Sequence, residues 1–223
     1  PIILPTPGET FRTVLEIVGS EGFAASVWVT VLRGFVGFLI SALAGSVLGA
    51  LSGRFWPLER LLEPAVTVVR STPVMSVILL ALIWFPTGVV PVFVSLLVSF
   101  PIMYANLAAG VREVDPALLE MARSYRVPRR AIVRRIVVPS LFPYFMAGGR
   151  TALGLTWKVV VAAEVLSQPM FGIGAELQEA RVLLDTARVL AWTAVAIVLS
   201  ALSDTLFHLL TAPYRRRVGG GRG

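Results

Sequence analysis

Residues 34–53, GFVGFLISALAGSVLGALSG, run twenty positions between Arg33 and Arg54 without a charged side chain. At ~1.5 Å per residue, such a run crosses a hydrocarbon layer ~30 Å thick. It predicts a membrane-spanning helix, and with it an all-α, polytopic bundle. Gly45, Gly49 and Gly53 recur in it at every fourth position. A stripe of small residues lets a second helix approach closely, so these glycines are read as bundle packing.

Further along, forty-one uncharged residues separate Arg70 from Arg112. That is too long for one span and suits two. Pro86-Thr87-Gly88 is turn chemistry and divides it into a short span near Thr72–Phe85 and a longer one near Val89–Ala109. The short one is expected to be tilted, kinked or extended by the apolar Pro64–Val69 stretch, with Pro73, Pro91 and Pro101 as further breaks or kinks. A fourth apolar stretch covers about Leu141–Leu166 and a fifth about Val189–Leu210. Five spans place the two ends of the chain on opposite sides. The whole chain, 1–223, reads as one transmembrane domain.

Composition agrees. Apolar types make up 56% of the 223 residues, charged types 15%, and the mean hydropathy is +0.81, against about 25% charged in an ordinary soluble domain. There is no cysteine and one histidine, His208, which excludes a disulfide framework, a Cys-based metal centre and a histidine-rich one. The net charge of +7 raises nucleic-acid binding, but the arginines sit between apolar runs, where a cytoplasmic excess places them. No nucleic acid is expected as a partner; membrane lipid is.

With residues 112–135 cytoplasmic, Arg54, Arg60, Arg70 and the tail with Arg215–Arg217 and Arg222 fall on the same side. Fourteen of the twenty basic residues are then inside, and Arg12, Arg181 and Arg188 are outside. This asymmetry orients the chain, with 165–188 external. The chain opens on Pro1 rather than Met, and one further helix is expected before it.

The main polar insertion, residues 113–139, reads EVDPALLEMARSYRVPRRAIVRRIVVP. Asp115-Pro116 is a helix start, because Asp accepts from free N–H groups and Pro fits the first turn. A short helix to about Tyr125 follows, with Leu118, Leu119, Ala122 and Tyr125 as an apolar stripe. Val127-Pro128 breaks it before a second basic helix. A capped amphipathic helix needs a surface to cover its apolar side chains, and both a lipid headgroup layer and a groove on a soluble protein qualify.

The stretch resembles the EAA loop of ABC-transporter permease subunits. That pattern is E-A-A, three residues, G, nine residues, I, one residue, L-P. Glu120, Met121 and Ala122 stand for E-A-A, and Ile136, Val138 and Pro139 for I-x-L-P at the right spacing. Arg126 occupies the Gly position. If that position is a left-handed turn, as the family's Gly suggests, Arg there costs roughly 1–2 kcal/mol. Leu4-Pro5-Thr6-Pro7 with Trp28, Arg33 and Gly37 extends the resemblance to nitrate/sulfonate/taurine-type permeases. So do Gly149-Arg150, Ala152–Leu155, Trp157, Ala163-Glu164 and Gly172-Ile173-Gly174.

The resemblance implies a multi-pass permease of a type I importer in the bacterial inner membrane. Its partners would be an ATP-binding cassette subunit, a second permease copy (a homodimer) and an extracytoplasmic substrate-binding protein. The cargo would be a small anion, or alternatively another small organic solute. Leu119, Glu120, Met121, Ala122, Tyr125 and Arg126 would carry the ATPase coupling. The sequence has no G-x-x-x-x-G-K-[ST] loop, so no catalytic residue and no cofactor is assigned to this chain. ATP and Mg would be bound by the partner.

Charges inside the fourth apolar stretch complete the reading. Arg150, Trp157 and Glu164 are spaced by seven, and Lys158 lies about 80° from Arg150 round a helix at 3.6 residues per turn. Intramembrane charges usually face the bundle interior or a water-filled path. Trp157, Lys158 and Glu164 are candidate pathway residues, with Lys158 favouring an anion. The competing readings are that Arg150 reaches the surface or pairs with Asp204, and that Glu164 caps polar groups at the outer end. Asp204 and His208 are read as interfacial. An intramembrane enzyme would need a catalytic constellation, and a secondary transporter internal repeats around a midplane site. Neither is found in the sequence, and neither explains the loop.

Overall fold

The computed structural model describes residues 5–219, with side chains for 5–212. The expectations on Leu4, on the Arg215–Arg217 side chains and on residues 220–223 lie outside the described residues. Helix α1 (Pro7–Val18) starts at a capping box. The Thr6 hydroxyl accepts from the Glu9 N–H at 3.2 Å, and the Glu9 carboxylate accepts from the Thr6 N–H at 2.7 Å. The bond from the Thr6 backbone, then that from its hydroxyl, holds the Glu9 carboxyl below the usual carboxylate range.

Helix α2 (Phe23–Arg54) is a 32-residue rod, about 48 Å long. The first span thus begins a third of the way before Gly34 and takes Arg33 inside the helix. Two helices follow, α3 (Trp56–Ser71) and α4 (Val74–Trp84), and then α5 (Val90–Arg112). The glycine stripe of α2 lies on α5. A Cβ at Gly45 would stand 2.6 Å from Met103 Cβ, one at Gly53 would stand 2.6 Å from the Ala108 carbonyl oxygen, and one at Gly49 would strike the Tyr104 carbonyl.

The second span is extended and broken as expected. Pro64 sits inside α3, and the break falls at Thr72-Pro73, where α3 and α4 meet at 101°. Proline there lacks an N–H and pushes the preceding residue out of the helical region; Thr72 has ψ 128°. α4 has 11 residues, about 16 Å, and cannot cross alone. The ends of the pair tell a broken span from a re-entrant one. Glu59 near the start of α3 pairs with Arg112 at the C-terminus of α5 at 2.8 Å. The turn after α4 reaches the opposite end, where Arg33 Nε donates to the Gly88 carbonyl at 3.1 Å. The pair therefore traverses the bundle once. Pro91 lies in the first turn of α5, and Pro101 is accommodated inside it.

Helix α6 (Pro116–Ser124) precedes α7 (Arg129–Ile132), which runs through a π-helical turn, Val133–Val137, into α8 (Val138–Ser167). Helices α9 (Ile173–Val182) and α10 (Thr186–Gly219) complete the chain. Among the described residues four helical segments are each long and apolar enough to cross a membrane, and the bent pair, taken as one span, makes a fifth. The central core joins α2, α5 and α8 through Phe38, Met103, Leu107, Leu153 and Trp157. Ile17 of α1 packs on Trp192 of α10 and Ile173 of α9 at the end remote from α6.

Candidate functional site

At the basic end, the Asp115 side chain accepts from the Ala117 N–H at 2.8 Å, and Pro116 fills the first turn of α6. The helix ends in a left-handed residue, Arg126, at φ 53°. Val127 N–H donates to the Ala122 carbonyl, and Arg126 N–H to that of Arg123, both at 2.9 Å. These two bonds form a Schellman turn with a non-glycine residue at its left-handed position. The Gly-position inference therefore corresponds to an observed turn, and the shape of the loop survives the Arg.

The apolar stripe is corrected in one respect. Ala122 is 4% exposed and faces its own chain. Leu119 is half-buried and Glu120 exposed. The outward apolar side chains are Leu118, Met121 and Tyr125, the last 80% exposed. Glu120 forms no ion pair among the described residues.

The charges of α8 separate into two environments. Arg150 pairs with Asp204 of α10 through two bonds of 3.1 Å. Lys158 is exposed and has no ion-pair partner among the described residues. Both line an open groove between α8 and α10 of about 720 Å³, a volume within the ~300–1,000 Å³ of small-molecule sites. Trp157 forms part of its wall but is 5% exposed. Its ring edge fills the space left by Gly34, where a Cβ would lie 2.6 Å from Cζ3.

Glu164 is fully buried and lines no open surface of this chain. Its carboxylate accepts from Arg33 Nη1 at 2.7 Å, from the Thr30 hydroxyl at 2.9 Å and from the Gly174 N–H at 3.0 Å. Arg33 also donates to the Phe171 carbonyl at 2.7 Å, and Ile173 N–H donates to Thr30 Oγ1 at 2.9 Å. One buried node thus ties α2, α8, the α8–α9 turn and the α4–α5 turn. It matches the capping reading of Glu164 and not the pathway reading. Gly172 and Gly174 leave it room: at φ 154°, a Cβ on Gly172 would lie 2.7 Å from Glu164 Cδ. The sequence presented Arg33 and Gly172–Gly174 as separate features and gave Thr30 no signal. Nothing local joins residues so far apart, and only the paired burial of two charges in an apolar chain hinted at it.

An all-α bundle of five traverses with a capped basic loop between two core helices is the architecture of an importer permease. Residues 41–216 match the family described as the binding-protein-dependent transport system inner membrane component, and the chain belongs to that family. It is thus the membrane-spanning permease of a binding-protein-dependent ABC importer, with ATP hydrolysis in a partner subunit. It is 29% identical to SsuC, a Bacillus subtilis permease protein assigned to aliphatic sulfonates transport, over 93% of this chain and 75% of that one. It is 28% identical to the taurine transport system permease protein TauC of Escherichia coli, over 92% and 76%. In fold it is similar to a chain of the inward-facing MetNI methionine ABC transporter, with TM-score 0.73, 15% identity, and 86% and 95% of the two chains covered.

Proposed function

We propose that this permease docks an ATP-binding cassette subunit through its 113–139 loop and passes a small anionic solute of the sulfonate kind. A second copy of the chain completes the path, and a substrate-binding protein delivers cargo at the end bearing the α8–α9 turn. The basic end then faces the cytoplasm of a bacterial cell, and the bundle spans its inner membrane. The observation that carries the docking half is α6 itself. It is capped at Asp115, closed at Arg126 and presents Leu118, Met121 and Tyr125 to the outside. A helix this well terminated is rigid enough to be pushed. A load on it passes directly to α5 before it and α8 after it, which share the central core with α2.

The anion half rests on the cargoes named for the two relatives and on the unpaired Lys158. That residue lies nine positions before the end of α8, about 13 Å along the axis and so near the middle of the hydrocarbon layer. A cation there is stable only against water or an anion. ATP and Mg act in the partner subunit and need no residue of this chain. Proteoliposomes holding the permease, its ATPase and its binding protein should take up an aliphatic sulfonate on addition of ATP. Uptake of a cationic analogue instead, with none of the sulfonate, would overturn the anionic reading.

A further inference from the structure

The groove between α8 and α10 has a chemistry more specific than a charged wall. Among the described residues Lys158 is its one charge without an ion-pair partner, because the two-bond pair of Arg150 with Asp204 leaves those charges balanced. Ser200 on α10 lines the same groove, and its hydroxyl bonds to no other described residue. The rest of the wall is largely aliphatic, with Leu155, Val161 and Ile197. Gly154 opens the floor, since a Cβ there would meet nothing within 4 Å.

We infer that this groove is a binding subsite for an aliphatic chain ending in a monovalent oxoanion, with the Lys158 ammonium on the anion and the α8–α10 wall on the chain. A charge-assisted hydrogen bond at low dielectric gives the anion its place, and the aliphatic wall favours an organic anion over an inorganic one of equal charge. The balanced Arg150–Asp204 pair bounds the site on the basic side without attracting a second anion. The physiological meaning of the site rests on the permease reading; its existence does not.

The test is equilibrium binding of 1-hexanesulfonate to the full chain in phosphatidylcholine nanodiscs, followed by titration calorimetry. Saturable binding is expected, weakened about tenfold or more by Lys158→Met and retained by Lys158→Arg. Gly154→Leu places an isobutyl group in the groove from a position where a Cβ meets nothing within 4 Å and should block binding, with thermal unfolding checking that the fold is kept. Nitrate and hexyltrimethylammonium should each bind at least about tenfold more weakly, the first lacking the chain and the second the charge. Equal binding of hexyltrimethylammonium would make the groove a lipid-like surface and overturn the proposal. So would unchanged affinity in Lys158→Met or in Gly154→Leu, or no binding of the sulfonate to the wild type. Any of these results would leave docking of the ATPase standing, so the two readings fail separately.

Discussion

Arg33 of α2 and Glu164 of α8 meet at 2.7 Å, 131 residues apart in the chain, with side chains 11% and 0% exposed. Every oxygen of the carboxylate is occupied, by Arg33, Thr30 or Gly174. The guanidinium meets two backbone carbonyls besides. Satisfaction of this kind lets a buried ion pair persist, and loss of one member leaves the other uncompensated.

Arg33→Met should therefore destabilise the protein by about 3–5 kcal/mol, and Glu164→Gln by less, since the amide oxygen still accepts from Gly174 N–H. The double variant should lose less than the two single losses combined, because the members act as a unit. Thermal unfolding in detergent measures all three. Strictly additive losses would mean that the pair contributes no coupling.

At Arg126 the expectation has the opposite sign. Replacing it by glycine removes the left-handed penalty of roughly 1–2 kcal/mol while keeping both Schellman bonds. Arg126→Gly should slow exchange of the Val127 amide, and Arg126→Val, β-branched at positive φ, should speed it. Faster exchange in the glycine variant would show that the side chain, and not the turn, holds the loop.

Helix contact through Gly49 gives a third expectation. Its Cβ would collide with the Tyr104 backbone, so Gly49→Ala should cost about 1–3 kcal/mol by forcing α2 from α5. Gly154→Ala, with open space around it, should be neutral or stabilising by up to ~1 kcal/mol. Similar effects of the two in a denaturation series would contradict the packing described here.

Membrane orientation is open to a direct check, because the chain has no cysteine. Cysteine at Ser124 should react with an impermeant maleimide only from the cytoplasmic side, and cysteine at Leu183 only from the other. Both positions are exposed. Labelling of the Ser124 variant in intact cells would invert the topology.

Much of this architecture was legible in the spacing of charges. Helices α2 and α5 were visible because burial in lipid disfavours charges over some twenty residues, and α8 and α10 because their apolar runs outweigh the few charges within them. Helix α6 was visible because Asp115-Pro116 is a local signal. The α3–α4 break was legible at Pro73, but its 101° angle was not, because neighbouring packing sets how far a helix turns at a proline. Ala122 was placed on the outer stripe because spacing defines a face but not which way it points. The Glu164 node was the least legible, since its partners come from α2 and from two turns distant in the chain. Lys158 was singled out by its charge alone, but its groove depends on α10.

The 113–139 loop is the proposed contact with the ATP-binding subunit, and Tyr125 is its most exposed apolar side chain. Burial of such a group is worth ~1.5–3 kcal/mol. The measurement is the affinity of the ATP-binding subunit for the permease in nanodiscs, wild type against Tyr125→Ala. Weakening by about tenfold or more, with the variant folded and inserted as the wild type is, is the predicted result. Undiminished affinity in Tyr125→Ala and in Met121→Ala, or no binding of the subunit to the wild type, would contradict it.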